Sequence, residues 1–305
     1  MQHECYLHCR VPYFKDKRSG KTHLLDLPWG RPGSGFTLLL EQVLLGQLRQ
    51  TACRTTVAHM HGLYPQRIIT LYDPYTLDAF EFREVELAQK VGVDETSSKK
   101  GHEYITLFWD METKQLLDLR EGRSNDTVAQ YVTELRQDGK QPEKNIQHLV
   151  ADMSPAFKKG FDENLPDATL TYDRFHVMQL AYRHCDKLLR RNDALARQLR
   201  DHLEQLATVY EQATLELAGA YLHFWLDQLE EHFHVPKLVA SLKKHYQGIV
   251  TYAETKLTNG LVEGLNNKIQ WIRRTARGFK NKRNFMRMIF FVFGHLKLPY
   301  QPISL

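Results

Sequence analysis

The sequence predicts an α/β protein in which a mixed-sheet domain carries an α-helical insertion and is preceded by a small helix-turn-helix segment. Three observations support this fold class. Strand-like and helix-like segments alternate between residues 90 and 174, as in a sheet covered by helices. Residues 174–246 are almost wholly helical in pattern and rich in charge. Before residue 90, two helix-like segments flank a glycine, as in a helical hairpin.

Three regions are predicted along the chain. We expect residues 1–35 to be irregular and residues 36–85 to form the helix-turn-helix segment. We expect residues 90–300 to form the sheet domain, with its helical insertion at about residues 185–250. The helical pattern of the insertion explains why the sheet domain is so long.

The helix-turn-helix prediction rests on the stretch from Arg54 to Tyr72. Ala58 is small enough to let two helices approach each other, and Gly62 permits a turn four positions later. The second helix is predicted to begin near Pro65, a residue that suits the first helical position. Any short helical hairpin would give the same pattern, so the motif alone does not establish DNA binding.

Between residues 90 and 174 the pattern predicts five strands and two helices. The predicted strands are 91–94, 104–109, 115–119, 146–151 and 168–172, and the predicted helices are 124–137 and 154–164. Three strands in succession, followed by helix, strand, helix and strand, is the order of the RNase H-like fold. Unrelated α/β proteins can share this order, so it supports the fold without establishing function.

Composition excludes several classes of protein. The 305 residues are 42% hydrophobic and 25% charged, as in soluble globular proteins. The longest apolar stretches are far too short to cross a bilayer. Four cysteines do not form a disulfide framework in a chain of this length. We therefore expect a cytoplasmic protein with no membrane partner.

The charge is unevenly distributed along the chain. Nine of the 41 basic residues and none of the 36 acidic residues lie from Gly264 to Leu305, so the rest of the chain carries a net charge of −4. A basic segment beside an acidic remainder indicates a bound polyanion. The alternative is a basic helix that is merely exposed to solvent.

Two aspartates follow predicted strands. Asp94 ends the first strand, and Asp152 follows the fourth strand 58 residues later. Open α/β sheets place their sites at the carboxyl ends of strands, and adjacent carboxylates repel each other unless a cation lies between them. Mg²⁺, or Mn²⁺ in its place, prefers carboxylate oxygens. The pair therefore predicts a divalent metal site of the kind used in phosphoryl transfer.

Glu263 is the best candidate for a third carboxylate in this site. It lies in a predicted helix whose apolar stripe should pack on the sheet. The stripe consists of Leu261, Leu265, Ile269, Ile272 and Ala276. Glu263 lies off this stripe with Asn266, Asn267 and Gln270, on a side that can face metal and DNA. The alternative is an exposed helical glutamate with no ligand.

Three further residues are candidates for a supporting role around the carboxylates. Asp173 follows the fifth predicted strand and either supports the site or caps the next helix. His176 either contacts the active site or DNA, or is a structural histidine bonded to backbone. Asn267 is included because it lies on the same polar side of the predicted helix as Glu263.

Seven sequence blocks resemble, in order, those of the ISL-three family of bacterial insertion-sequence transposases, which use two aspartates and a glutamate (DDE). The blocks are VDET (93–96), KGHEYIT (100–106), EGRS (121–124), DMSPAF (152–157), DRFHV (173–177), NGLVEGLN (259–266) and ARGF (276–279). The resemblance runs from about residue 29 to residue 293. Seven blocks in the same order are a specific signal.

The resemblance implies an RNase H-like catalytic domain with an α-helical insertion between the second aspartate and the glutamate. The gap of 111 residues between Asp152 and Glu263 agrees with such an insertion. The resemblance also implies that Asp94, Asp152 and Glu263 are the catalytic residues and the ligands of Mg²⁺ or Mn²⁺. The implied activity is metal-dependent cleavage and joining of DNA at the ends of an insertion sequence.

The expected partners are the terminal inverted repeats of the element, its target DNA and further copies of the chain assembled on DNA. Residues 29–36 and the helix-turn-helix correspond to the family's DNA-binding segment. The predicted DNA contacts are Gln66, Arg67, Arg273, Arg274, Arg277, Lys280 and Arg283.

The N-terminal region departs from the family pattern. Family members usually begin with a longer cysteine-rich, zinc-finger-like region, whereas only His3, Cys5, His8 and Cys9 are present here. Their crowded spacing does not suit one tetrahedral Zn²⁺, so no zinc site is expected and the chain is interpreted as N-terminally shortened. Two other interpretations stay open: an RNase H-like nuclease without joining activity, and an inactive DNA-binding relic.

Overall fold

The computed structural model describes two compact units, one ending at Ala79 and the other covering Phe80–His295. No helix within the described parts of the chain is both long and apolar enough to cross a membrane. Side chains of Asp78 and of residues 261–263 lie outside the description. The described residues are 6, 8–81, 87–98, 103–137, 139–191, 193–258, 260–276, 278–279 and 281–294.

The first unit begins with a hairpin, in which β1 (Tyr13–Lys15) pairs antiparallel with β2 (Thr22–Leu24). Asp16 holds the connecting turn by accepting hydrogen bonds from the backbone N–H and the hydroxyl of Ser19. The prediction that residues 1–35 are irregular is therefore wrong in this stretch. Every strand residue is exposed, so the hairpin has no alternation of buried and exposed residues that a sequence pattern could reveal.

The predicted helix-turn-helix is present in the first unit. Its helices are α1 (Leu38–Thr51), α2 (Arg54–Met60) and α3 (Pro65–Glu81). Gly62 adopts a φ of 62° in the turn between α2 and α3, a backbone conformation that favours glycine. Ala58 and Ile68 are fully buried, as expected for residues between two closely packed helices.

The second unit is built on a mixed five-stranded sheet with the strand order β5-β4-β3-β6-β7. Neighbouring strands are antiparallel from β3 to β5 and parallel from β3 through β6 to β7. This is the predicted RNase H-like arrangement. The strands are β3 (Lys90–Ser97), β4 (Tyr104–Asp110), β5 (Leu116–Glu121), β6 (His148–Ala151) and β7 (Thr169–Tyr172).

Helices α4 (Asn125–Gln137) and α6 (Pro155–Asn164) form a core with one face of the sheet, and a short helix α5 (Pro142–Asn145) lies between them in sequence. Phe108 of β4 stacks on Tyr131 of α4 with ring centroids 4.0 Å apart. Side chains alternate between the two faces of a strand, so the residues next to this core in sequence point to the opposite face.

The helical insertion packs around its own core. It covers β7, an edge strand whose unpaired backbone groups would otherwise be open to other chains. The hydroxyl of Thr251 donates to the carbonyl oxygen of Leu170 at 2.9 Å. Its helices are α7 (Arg174–Leu189), α8 (Ala194–Gln205), α9 (Leu215–His232), α10 (Pro236–Lys244), α11 (Tyr246–Val250) and α12 (Tyr252–Thr255), with a 3-10 helix at Leu206–Glu211.

The chain then returns to the sheet as α13 (Gly260–Thr275) and α14 (Lys282–Phe293). Trp109 of β4 meets Phe293 of α14 edge to face with centroids 5.6 Å apart. Trp109 follows Phe108 in β4 and therefore points to the face opposite α4 and α6. Helices α13 and α14 thus border the second face of the sheet.

Gly248 lies where α11 is packed against β7. A Cβ atom at this position would overlap the ring of Tyr172. We expect Gly248→Ala to lower the free energy of unfolding by about 1–3 kcal/mol, because neither the ring nor the helix has room to move freely. Thermal denaturation measures the change. Gly264→Ala is the matched control, since a Cβ there would meet nothing within 4 Å and alanine favours helix; equal losses in both variants would contradict the packing argument.

Candidate active site

The structure brings Asp94 and Asp152 together at the point where two parallel strands stop pairing. Gly92 of β3 pairs with Val150 of β6 as the last pair of this ladder, and both aspartates lie two residues further on. Asp94 was predicted to end its strand, but β3 continues to Ser97 because it stays paired with β4. The carboxylates are nevertheless at the end of the parallel ladder, where sites form in open sheets.

Asp94 is held in a poorly solvated position. Burial raises the pKa of its carboxyl group to about 7, and the nearby charge of Asp152 contributes to the increase. The backbone N–H of Glu95, at 2.7 Å, and the charge of His176 act in the opposite direction. The protein therefore holds this carboxylate close to a second one, and the opposing effects of Glu95 and His176 are smaller than the effect of burial.

Asn266 connects α13 to Asp94. Its side-chain N–H donates to Asp94 Oδ2 at 2.6 Å, and its own oxygen is buried without a hydrogen-bond partner among the described residues. One turn further along α13, Gln270 donates to the hydroxyl of Thr96 at 2.7 Å. The predicted supporting residue Asn267 is exposed instead, because consecutive helical residues point about 100° apart.

Asp173 and His176 lie beside the two aspartates. The backbone N–H of Asp173 donates to the carbonyl oxygen of Ala151 at 3.1 Å. Because Ala151 directly precedes Asp152, this hydrogen bond brings the backbone of Asp173 close to Asp152. His176 Nδ1 lies 3.2 Å from Asp173 Oδ2. This contact, together with the charges of Asp94 and Asp152, raises the pKa of His176. Asp173 stands at the N-cap position of α7 but makes no side-chain capping bond.

Glu95 belongs to the same electrostatic cluster, although the sequence did not single it out. Burial, and then the charge of Asp152, raise the pKa of its carboxyl group. Arg123 offsets part of this effect from 3.3 Å and also lies over the ring of Tyr104, 4.0 Å from its centroid. Both Glu95 and Arg123 fall in blocks of the family resemblance, which was the signal that could have identified them.

Glu263 lies in α13, and its side chain is outside the described residues. The prediction that its carboxylate joins Asp94 and Asp152 therefore stays a prediction. Its position in the helix supports the prediction. Gln270 follows Glu263 by seven residues, or about two helical turns, so the two residues lie on nearly the same side of α13. Gln270 is the residue that contacts Thr96 of β3.

The donors at this site fit a hard divalent cation. Carboxylate oxygens of Asp94 and Asp152, with the unpartnered amide oxygen of Asn266, are oxygen donors of the kind that Mg²⁺ prefers. Among the described residues, no group of three or more His, Cys, Asp or Glu side chains is arranged to hold a metal ion. In the N-terminal region, His3 and Cys5 lie outside the described residues, while His8 and Cys9 are exposed.

The raised pKa of Asp94 predicts a pH-dependent difference in stability between the metal-free protein and its Asp94→Asn variant. The pKa of Asp94 is about 7 in the folded protein, and its ordinary value is 3.8. Ionisation of Asp94 therefore destabilises the folded state, and this loss of stability increases as the pH rises from 3.8 to 7 and is constant above 7. Wild type should therefore become less stable than the variant over this range, by a few kcal/mol at most. Urea denaturation in EDTA measures the difference, and a difference independent of pH would contradict the burial of this charge.

The predicted DNA contacts of the basic segment have different surroundings. Arg273 donates to the carbonyl oxygen of Ser97 at 2.9 Å, and Arg283 forms an ion pair with Glu81. Arg274 is exposed, whereas Arg277 and Lys280 lie outside the described residues. Among the described members of the set, Arg274 is thus the residue best placed to contact a phosphate.

In the helix-turn-helix, Gln66 and Arg67 are both exposed at the N-terminal end of α3. Arg67 also holds the loop before α1, because its guanidinium donates to the carbonyl oxygen of Ser34 at 3.0 Å and lies over the ring of Phe36. Gln66 is therefore the freer of the two predicted contacts.

Two family models match this chain. The helix-turn-helix domain of transposase family ISL3, the ISL-three family named above, matches residues 25–76. The DDE model of the same family, described as a transposase, matches residues 91–205 and 198–289. The second match alone covers more than half of the chain.

Curated relatives agree with these matches. A transposase for insertion sequence element IS1001 of Bordetella parapertussis is 25% identical over 65% of this chain and 59% of its own length. A transposase for element IS1557 of Mycobacterium tuberculosis is 26% identical over 63% of this chain and 43% of its own length. The chain thus spans only about half the length of the curated relatives that it matches.

Among solved structures, a chain of a simian T-cell lymphotropic virus intasome in complex with the PP2A regulatory subunit B56 gamma aligns over 53% of this chain and 68% of that chain. Its sequence identity of 11% and TM-score of 0.22 are too low to support an argument. The two family matches do not depend on it. With both its helix-turn-helix and its DDE domain matched, this chain belongs to the ISL3 family of transposases.

Proposed function

We propose that this chain is the transposase of an insertion sequence, and that it cleaves DNA strands at the element's ends and joins them to target DNA with Mg²⁺ or Mn²⁺. The observation that carries the proposal is the pairing of Asp94 and Asp152 at the end of the parallel ladder, with the pKa of Asp94 raised to about 7. Such a pair is expected where a bound cation adds positive charge to that of nearby side chains such as His176.

Asp94, Asp152 and Glu263 are the proposed metal ligands and catalytic residues. When bound, the metal ions would activate the attacking oxygen and stabilise the leaving oxygen of phosphoryl transfer. Asn266 donates a hydrogen bond to Asp94 Oδ2. Hydrogen bonds of this kind fix the orientation of a metal ligand, so Asn266 would orient Asp94. His176, held by Asp173, keeps positive charge beside both aspartates below its raised pKa.

DNA recognition is assigned to two parts of the chain. The helix-turn-helix would recognise the terminal inverted repeats with Gln66 and Arg67 near the start of α3, and the basic segment would contact DNA near the catalytic residues. A homo-oligomer assembled on DNA is part of the proposal, because cleavage at two element ends calls for more than one active site.

The proposal is tested first on the DNA that flanks the gene, where terminal inverted repeats should be found. A fragment carrying one such repeat should be nicked by the protein only when Mg²⁺ or Mn²⁺ is present, and its freed 3′ end should become joined to a second DNA. Nicking without joining would favour the nuclease interpretation. Specific binding with neither reaction would favour the inactive relic.

Arg274 provides a quantitative test of the DNA path. We expect Arg274→Gln to reduce the slope of log affinity against log salt concentration by about one, because one phosphate contact is lost. Fluorescence anisotropy at several salt concentrations measures the slope. Arg200→Gln is the matched control, since Arg200 is exposed on α8 outside the basic segment. Equal slopes for wild type and Arg274→Gln would mean that the basic segment is only a solvated surface.

A further inference from the structure

Helix α13 presents a line of exposed residues that lies outside the proposed metal site. The opposite side of the helix is occupied, because Ile269 and Ile272 are buried and Asn266 and Gln270 contact β3. The exposed residues recur every three or four positions and so form one strip along the helix. This α13 strip consists of Gly264, Asn267, Lys268, Trp271 and Arg274.

Trp271 is the unusual member of the α13 strip. Its side chain is 45% exposed, whereas Trp109 and Trp225 of the same unit are at most 1% exposed. Lys268 precedes it by three residues and Arg274 follows it by three, and neither cation forms an ion pair within the described part of the chain. No acidic residue follows Glu263 in the sequence. A large exposed aromatic ring therefore lies between two cations that have no ion-pair partner among the described residues.

The position of the strip relative to Glu263 follows from helix geometry. Successive residues turn by about 100° and rise by about 1.5 Å, so Glu263 lies about 60° around the helix from Asn266 and about 20° from Arg274. Glu263 thus stands between the side that faces Asp94 and the α13 strip. Trp271 lies eight residues further on, about 12 Å along the axis, which corresponds to about three base steps of a DNA strand.

We propose that Trp271 stacks on an unpaired base near a DNA end, with Lys268 and Arg274 contacting the phosphates on either side of that base. The inference deepens the proposed function and rests on it, since it assumes that a DNA end reaches Asp94 and Glu263. Every base has an aromatic face, so the contact tolerates any sequence. Gly264, which has no side chain, leaves the backbone of the DNA room to approach α13 beside Glu263.

A nucleic acid fits the α13 strip better than a second protein chain does. Interfaces between proteins are depleted of lysine in their cores and centre on several apolar side chains. Trp271 is the sole large apolar member of the strip, and its neighbours are a glycine, an amide and two cations. A phosphate backbone supplies the negative charge that these cations lack within the described residues.

The test measures binding of the full chain, without metal, to two probes. One probe is a duplex of about 20 base pairs with a single-stranded extension of about four nucleotides, and the other is the same duplex with blunt ends. Trp271→Leu should weaken binding to the extended probe by about tenfold, because the stacked base loses its aromatic partner, and should leave binding to the blunt probe nearly unchanged. Its salt slope should match that of wild type, because no charge is removed.

Two further variants define the contact. Trp271→Phe keeps an aromatic ring and should retain most of the affinity for the extended probe. Phe224→Leu is the matched control, because Phe224 is a 62% exposed aromatic residue on α9, and it should change neither affinity. A second measurement needs no variant: 2-aminopurine placed in turn at each nucleotide of the extension should lose fluorescence at one position when wild-type protein binds, and Trp271→Leu should abolish this loss.

Three results would overturn the proposal. The first is equal affinity of Trp271→Leu and wild type for the extended probe, and the second is an equal loss on both probes. The third is a change in the oligomeric state of Trp271→Leu without DNA, measured by analytical ultracentrifugation, since it would assign the ring to a protein interface. Metal-dependent cleavage is scored separately, so an inactive chain that still shows the stacking contact would reject the proposed function alone.

Discussion

Replacing Asp94 or Asp152 by asparagine is expected to reduce metal-dependent nicking of an element-end fragment by a thousandfold or more. Asparagine keeps the size of the side chain but removes the negative charge that holds a divalent cation. Metal ions contribute several kcal/mol to the transition state of phosphoryl transfer, and each 1.36 kcal/mol corresponds to about a factor of ten in rate. The measurement is the single-turnover nicking rate at saturating Mg²⁺.

The same variants should fold and bind DNA as well as wild type does. Burial and the charge of Asp152 raise the pKa of Asp94, so removing one of the two charges relieves a cost in the metal-free protein and should not lower its stability. DNA contacts assigned to the helix-turn-helix and the basic segment lie elsewhere in the chain. A gel shift and a thermal melt therefore accompany each rate measurement.

Asp167→Asn is the matched control for these variants. Asp167 is exposed before β7, so the change removes one negative charge away from the cluster and should leave nicking intact. If Asp94→Asn nicked the fragment as fast as Asp167→Asn, Asp94 would have no part in catalysis. If Asp94→Asn instead failed to fold, the carboxylate would have a structural role.

The sequence predicted the sheet well because its strands obey a local rule. Buried strands such as β3 and β4 are short apolar runs separated by turns, and the order of these runs determines the topology. The β1–β2 hairpin escaped prediction because none of its side chains is buried. The C-terminal half of β3 was not predicted either. Glu95 and Thr96 are polar, and they belong to the strand because they pair with β4.

At the candidate site, sequence reasoning identified the carboxylates more readily than their neighbours. The two aspartates follow apolar strands, a pattern visible along the chain. Which of Asn266 and Asn267 reaches Asp94 depends on the rotation of α13 against β3, and this rotation is set by burial of Ile269 and Ile272. Likewise, the sequence predicted Arg273 as a DNA contact, but its guanidinium donates a hydrogen bond to the backbone carbonyl oxygen of Ser97.

Glu263→Gln is expected to reduce nicking by as much as Asp94→Asn, because the proposed site needs a third carboxylate. The contacts of α13 define the space available to it. Asn266 lies against Asp94 and Gln270 against Thr96, so the helix advances along β3 in the same direction as the strand. One turn before Asn266, the helix is opposite the stretch of β3 that contains Gly92, a residue on the same face of the strand as Asp94.

The matched control for this change is Glu254→Gln, because Glu254 is an exposed glutamate on α12, the very situation proposed as the alternative for Glu263. Both variants lose one negative charge and keep a helical residue of the same size, so they should melt at similar temperatures. If Glu263 is a metal ligand, Glu263→Gln should lose nicking activity and Glu254→Gln should keep it. Glu263→Gln should still bind the same fragment in a gel shift. Similar nicking rates for the two variants would show that Glu263 is a solvent-exposed residue, and the third ligand would then have to be another oxygen donor near Asp94, with Glu95 as the first to replace.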